Sequence, residues 1–475
     1  MRLRNLLTTI SILLLAISVH AQQPQFLLTS ASPETAQDIC SRHGLNFVAT
    51  AWSSYADGRG VYLVSAPAGS TASSVQSSLS TDSLVFAVEQ VQSVVVPELA
   101  GATLAQSTTG LLDTSSNPQL VDFFGSLVPL LYNFQPATSL IRSNTARRVS
   151  GLSGAGLTVA VIDTGIDPTH PVFSSVLRPG FDFTRNTAGS ASELADLDPD
   201  NAAVLAQSTT GLLDGLHLVQ VSGFAVAILA QSTTGLLDSP GLSAFGHGTM
   251  TAGVIHVVAP AAKIMPLKAF RADGTSDTYN IVRAIYFAAE SGVNIISMSF
   301  EIGQSSPALE AAIHYAQSKG IVLVASAGND GFQTQVFPAA MGNVIGVGST
   351  NPADVRSTFS NFGSPDVLFA APGEGVITSY PGGHYAAGWG TSFSAPLVTG
   401  SVALILQHNF QNNICGFSHV VNPLSKAIQV PKMGHGRIDL LQVVNNFSNS
   451  GSGGSKCTGV VYPLPTATDD DNDDD

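Results

Sequence analysis

The sequence predicts an α/β fold, with a mostly parallel sheet carrying helices on both faces, preceded by a small ferredoxin-like α+β module. Three observations predict it. Leu157–Ile162, Lys263–Leu267, Val293–Met298, Ile321–Ser326 and Val344–Gly348 are near-continuous apolar runs rather than alternating ones. Segments with helical spacing, such as Asn280–Glu290 and Pro307–Lys319, lie between them. Strands buried on both faces and separated by helices form parallel sheets covered on both sides. Asp163 and Asn329 then stand at the carboxyl ends of two of these strands, where such sheets gather their functional groups.

The elements before that sheet follow in order. Arg2 and Arg4 precede the apolar run 10–17, and Val19-His20-Ala21 offers small residues for cleavage, so residues 1–21 read as a signal peptide. The run is short for a bilayer span, which leaves a retained anchor as the weaker alternative. The expected destination is secreted (extracellular or periplasmic), with no membrane attachment after signal removal. Residues 22–100 make a module of their own. Phe26–Leu28 reads as a strand, Pro33–His43 as a helix with Ser32 as N-cap, Gly60–Ser65 as a strand and Ser70–Leu79 as a helix. Leu84–Pro97 is valine-rich and reads as one long strand or a hairpin. A β-α-β-β-α-β order fits a ferredoxin-like unit. Residues 101–134 read as a linker with some structure, and 135–150 as the helix entering a domain that runs from 135 to 447. Residues 448–475 form a Gly/Ser-rich and then acidic tail, expected to be a solvated tail.

Composition bounds the function. At 475 residues and 44% hydrophobic, the chain can bury a large core spread over more than one domain. Its net charge of −14 comes without a basic patch, which argues against nucleic acid as a partner. The cysteines are Cys40, Cys415 and Cys457; the last two either bridge in an oxidising compartment or stay free thiols. The segment Leu-Ala-Gln-Ser-Thr-Thr-Gly-Leu-Leu-Asp occurs at 104–113, 205–214 and 229–238. Either the copies pack on each other near the functional cleft, or they are duplications of a tolerated surface loop.

Three segments carry chemistry: Val161-Ile-Asp-Thr-Gly-Ile166, Gly246-His-Gly-Thr249 and Gly390-Thr-Ser-Phe-Ser-Ala-Pro396. They supply a carboxylate, an imidazole and a hydroxyl, the set that turns a serine into a nucleophile near neutral pH. Asp163 either orients the imidazole or caps a turn. His247, between two glycines, is the candidate general base, and Ser392 opens a long apolar helix whose N-terminus favours developing negative charge. Pro396 is read as tolerated in the first helical turn. Asn329 follows Ala327-Gly328.

With the order Asp…His…Ser and Ser326-Ala-Gly-Asn329 between the last two motifs, the chain resembles the subtilisin-like serine proteases over residues 135–447. The resemblance implies a serine endopeptidase acting on protein or peptide substrates through Asp163, His247 and Ser392. It also implies that Asn329 donates to the oxyanion. The segment 22–100 would then be a pro-domain, acting as an intramolecular chaperone and inhibitor. Ser297, Ser299, Phe300 and Gly328 are the implied substrate-binding positions. Glu301 and Ile302 stand where the family often has glycine, and Val336-Phe-Pro338 forms a bulkier second wall, so the pocket is expected to be narrowed or altered. Met250 replaces a common second histidine. No cofactor is firmly implied. Calcium is an option at Asp196, Asp198 and Asp200, although they lack the glycine and distal glutamate of a full calcium loop. A non-catalytic binding protein on the same fold and a non-proteolytic esterase are the rival readings. The esterase is disfavoured because no Gly-x-Ser-x-Gly elbow flanks Ser392.

Overall fold

The computed structural model describes residues 23–54, 58–95, 110–111, 120–189, 191–207, 216–221, 224–229, 241–412 and 417–447. The chain divides into two compact units, 1–90 and 91–475. In the first, an antiparallel sheet has the order Asn46–Ser54, Arg59–Ser65, Gln25–Ser30, Ala87–Gln90. Helices Pro33–His43 and Ala72–Leu79 complete the β-α-β-β-α-β sequence of elements. Ser32 caps the first helix by accepting from Thr35 N at 3.2 Å. Phe26, Leu28, Ile39, Tyr62, Val64 and Leu79 make the core. Cys40 is buried among them, which pushes its thiol up to about 11.

The stretch 84–97 departs from the expected single strand or hairpin. It contains two short strands with different partners. Ala87–Gln90 pairs with Gln25–Ser30, whereas Ser93–Val95 pairs with Thr275–Asp277 inside the second unit. A valine-rich stretch favours extended backbone but does not specify the neighbour.

In the second unit the main sheet has eight strands. Their order is Thr187–Ala188, Phe181–Asp182, Lys263–Lys268, Thr158–Asp163, Ile295–Met298, Val322–Ser326, Val344–Thr350, Phe369–Pro372. Every pairing is parallel except that of the Thr187–Ala188 edge. All residues of Thr158–Asp163 and Ile295–Met298 are buried, as a sheet covered on both faces requires. The helices Thr278–Glu290 and Pro307–Ser318 pack on one another, and Thr391–Gln411 packs along four of the strands.

Residues 135–150 form two helices rather than one, Pro136–Leu140 and Ser143–Ser150. The break is at Arg142, whose φ of 57° leaves the helical region. Its guanidinium is tied to Asp439, with Nε donating to Oδ1 at 2.8 Å. Just upstream, the hairpin Leu120–Phe123/Ser126–Pro129 and the helix Leu130–Asn133 place Phe123, Val128 and Tyr132 in the main core. Tyr132 Oη donates to Gly253 O at 2.9 Å and meets His256 Nδ1 at 3.0 Å. Burial lowers His256 to about 3, so this histidine is a neutral core residue.

The described pieces of the triplicated segment do not form one unit. Gly110–Leu111 pairs with Ala387 and Ala386, Leu205–Gln207 ends a helix, and Leu229 ends a strand of the hairpin Leu216–Val221/Phe224–Leu229. The same leucine at the first repeat position is thus helical in one copy and extended in another, because tertiary context overrides a weak local preference. The signal segment, Cys415, Cys457 and the acidic tail lie outside the described residues. Among the described residues no helix is long and apolar enough to cross a membrane.

Candidate active site

The Thr158–Asp163 strand delivers Asp163 to its carboxyl end, 2% exposed. A carboxylate there needs partners, and it has them. Oδ1 accepts from Thr164 N at 2.7 Å and lies 2.6 Å from His247 Nδ1, while Oδ2 accepts from Thr251 Oγ1 at 3.1 Å. With Nδ1 turned to the carboxylate, the imidazole presents Nε2 on its far side. His247 opens the helix His247–Val258. That helix comes this close only because residue 248 is glycine: a methyl group there would overlap the carbonyl of Gly165.

A further carboxylate, not foreseen from the sequence, braces the segments that carry Asp163 and His247. Glu193 is fully buried and accepts from Gly248 N at 3.0 Å and Thr249 Oγ1 at 2.6 Å, as well as from Thr164 Oγ1. It links the residue after Asp163 to the two residues after His247. Nothing local in Ser192-Glu-Leu194 signals this, since the partners lie 29 and 55–56 residues away. Lys268, also buried, donates to Thr164 O at 2.6 Å, Phe270 O at 2.8 Å and Asp196 Oδ2 at 2.7 Å.

Burial pushes the Glu193 carboxyl up to about 7, against the pull of Thr164, Thr249 and Lys268, with Asp163 adding to the rise. A carboxyl raised in the folded state binds its proton more tightly there than in the unfolded chain. Its contribution is complete below the unfolded value of 4.5 and declines as pH climbs to about 7. Glu193→Gln is therefore expected to flatten the fall in melting temperature between those pH values. The span corresponds to roughly 3 kcal/mol. An unchanged slope in a thermal melt series would show that Glu193 does not titrate there.

Ser392 is the second residue of the helix Thr391–Gln411 and is fully buried. Its backbone N–H belongs to the first turn, which has no intrahelical acceptor. Phe393 brings this end of the helix against His247, with ring centroids 6.0 Å apart. Pro396 is beyond the first turn, so its reading as a first-turn proline is corrected. Lacking an N–H, it cannot bond the carbonyl of Ser392 four residues back. Ser299 Oγ makes that bond instead, at 3.1 Å.

Asn329 Oδ1 accepts from both Thr391 N and Thr391 Oγ1 at 2.9 Å. A backbone N–H can only donate, so the amide is held with Oδ1 on Thr391 and Nδ2 turned away. Asn329 Nδ2 and Ser392 Oγ are both buried without a hydrogen-bond partner among the described residues.

The substrate-binding positions sort into two groups. Ser297 pairs on both sides within the sheet, opposite Val161 and Val324, and its hydroxyl meets Thr399 Oγ1 at 3.1 Å. Its backbone is spent inside the sheet, so Ser297 is withdrawn as a substrate-pairing residue. Ser299 and Phe300 lie past the last ladder pair, Met298 with Ala325. Both side chains are buried, Phe300 packing 5.2 Å from Phe270, so a substrate would meet their backbone. Gly328 has φ +91° and borders Glu301 and Asn361. Asp196, Asp198 and Asp200 do not converge on a metal site. Asp196 is ion-paired with Lys268 and Arg185, and Asp198 accepts from Asn201 N at 2.8 Å. No group of three or more candidate ligands occurs among the described residues.

The Subtilase family profile matches residues 154–421, more than half of the chain. The chain belongs to the subtilase family. Among curated subtilases, thermophilic serine proteinase from Bacillus sp. (strain AK1) is 33% identical over 261 residues, covering 55% of this chain and 54% of the relative. Subtilisin BL from Lederbergia lenta is 30% identical over 268 residues, 54% of this chain and 79% of the relative. The chain thus spans about half the length of the first relative and most of the second. A solved structure described as a cold adapted subtilisin-like serine proteinase aligns with a TM-score of 0.46 and 25% identity, covering 61% of this chain and 89% of that one. The family is one of serine endopeptidases with a mostly parallel α/β sheet. Against the usual subtilase pattern, Met250 is a core residue, 2% exposed.

Proposed function

We propose that the chain is a secreted serine endopeptidase, made as a self-processing precursor, that cleaves protein or peptide substrates through an acyl-enzyme. His247 Nε2 takes the proton of Ser392 Oγ as that oxygen attacks the scissile carbonyl carbon. The negative charge forming on the carbonyl oxygen is met by Asn329 Nδ2 and the backbone N–H of Ser392. His247 passes the proton to the leaving amine, and Asp163 keeps the imidazole in one tautomer throughout. A water, activated by the same imidazole, then releases the acyl group from Ser392. The first unit serves as the precursor's own inhibitor and is lost on maturation. The enzyme needs no cofactor for these steps.

One observation carries the reading. Among the described residues, a buried amide donor and a buried hydroxyl find no partner beside the same helix N-terminus. Each costs about 1–3 kcal/mol to leave so, a cost that makes sense if Asn329 Nδ2 donates to a reacting carbonyl oxygen while Ser392 Oγ gives its proton to His247 and bonds the carbonyl carbon. Asn329→Ala is therefore expected to lower kcat on a peptide substrate by roughly 10²–10³-fold with little change in KM. Steady-state kinetics on peptide amides decides it: no hydrolysis by the parent, or an unaffected kcat in the variant, removes the assignment.

A further inference from the structure

We propose that the stretch 460–475 docks, within the same chain, in an aromatic groove between the hairpin Leu120–Phe123/Ser126–Pro129 and the helix Ser143–Ser150. The proposal is independent of the catalytic reading. Among the described residues of the second unit, the exposed large apolar side chains gather in one place. All but Phe332 and Val355 lie in 120–149: Leu120, Phe124, Leu127, Leu131, Phe134 and Val149. Phe123, Phe124, Phe134 and Arg148 line an open groove of about 610 Å³ there. Apolar patches of this kind mark interaction sites. Asn133 Oδ1 lies on the same groove, buried and without a hydrogen-bond partner among the described residues. A backbone N–H of an entering segment would satisfy it.

The hairpin holds Phe124 against local preference. Phe123 pairs with Ser126, so the loop is Phe124 and Gly125, with φ of 52° and 84°. A two-residue loop with both φ values positive is the turn that prefers asparagine at its first position. A bulky side chain is disfavoured there, yet this ring is 50% exposed. It rests on Phe123, with centroids 5.2 Å apart, and under the Arg147 guanidinium. The rest of the ring gains apolar burial only when a further segment covers it.

Reach, composition and charge identify the occupant. Leu440–Phe447 packs on Ser143–Ser150, whose Asn144 and Arg148 line the groove, so the last described helix ends beside it. Residues 448–459 are rich in glycine and serine and span about 40 Å when fully extended. They lead to Val460-Val-Tyr-Pro-Leu-Pro465 and then to the aspartates of 469–475. Proline-bearing apolar segments enter aromatic grooves at little ordering cost. The groove sets Arg147 and Arg148 against one carboxylate, Asp122, in a chain of net charge −14. Arg147 is spent on the carbonyls of Val257 and Val258 and on Asn144 Oδ1, whereas Arg148 is exposed and faces an acidic segment favourably. Tethering holds the segment at an effective concentration on the order of millimolar, which populates even a weak contact.

The test uses the full chain carrying Ser392→Ala to prevent self-cleavage, with Tyr462 replaced by the photo-crosslinker p-benzoylphenylalanine. Peptide mapping after irradiation is expected to place the crosslink in 120–134 or 143–149, in a product of monomer mass. Phe124→Asn should cut that yield at least about fivefold, as loss of an aromatic anchor does, and Arg148→Glu should cut it further. Asparagine suits the turn, so a loss in Phe124→Asn reports the missing ring rather than an unfolded hairpin. Hydrogen exchange is the second readout: Leu464→Asp, with Tyr462 kept, should speed amide exchange in 120–134 by about fivefold or more. A crosslink elsewhere in the chain, or a yield unmoved by Phe124→Asn, overturns the proposal. So does a product of dimer mass, which gives the groove to a second copy. The absence of any crosslink, together with exchange unmoved by Leu464→Asp, overturns it as well and leaves the groove to another protein.

Discussion

Ser392→Ala is expected to lower peptide hydrolysis roughly 10⁶-fold, the loss that holds for subtilisin, itself a member of this family. The helix should be undisturbed. Ser392 Oγ makes no hydrogen bond among the described residues, so its removal leaves nothing behind unsatisfied. The Ser392 carbonyl keeps its bond from Ser299, and Asn329 keeps its bonds to Thr391. A loss of activity with an equal or higher melting temperature therefore reports chemistry rather than folding. Intact mass over time supplies the second readout. The parent should lose its first unit by cleavage somewhere in 95–135, while the variant stays whole. If both are cut alike, another protease processes the chain and the self-processing part of the proposal fails.

Asp163→Asn is expected to lower kcat by roughly 10⁴-fold with the fold intact. The carboxylate accepts from Thr164 N, Thr251 Oγ1 and the His247 ring at once. An amide with its oxygen at the Oδ1 site keeps Thr164 N and the ring and turns NH₂ to Thr251, but it has no charge to stabilise the imidazolium; turned over, it keeps only Thr251 and sets NH₂ against the ring. Facing the ring, it forces Nδ1 to become the acceptor and moves the imidazole proton to Nε2, the nitrogen that has to receive the serine proton. A pH-rate profile checks this directly. The variant should regain some activity at high pH, where the serine proton leaves more easily, whereas a merely structural defect would be flat. Glu193 remains in place to hold Thr164 and Gly248, so the two segments should not drift apart.

Much of this protein was legible from residue order. The runs 157–162, 263–267 and 344–348 are so apolar that only a doubly covered sheet accommodates them, and the observed strands fall within a residue or two of them. The helix starts at His247 and near Ser392 were legible too: glycine precedes each, and a largely apolar run free of Asp, Glu, Lys and Arg follows. Long-range partners were not. Glu193 reads locally as one more surface acid in an acidic stretch, yet it is fully buried against the segments that carry Asp163 and His247. Pro396 looked harmless as a first-turn residue, and only packing shows that Ser299 supplies what it withholds. The linker-side strand Ser93–Val95 looked continuous with its predecessor but pairs elsewhere.

The sequence by itself therefore determined the fold class and the family, and it named Asp163, His247, Ser392 and Asn329 as the candidates for the site. Those follow from patterns within one strand, one turn or one helix end, where neighbours along the chain carry most of the information. Only the tertiary structure decided that Asn329 presents Nδ2, that Ser297 is spent inside the sheet, and that the Glu301 carboxylate lies against Gly328. Each of these depends on a hydrogen bond or a close approach between residues far apart in sequence. Such contacts exist only once the sheet order has brought two strand ends side by side.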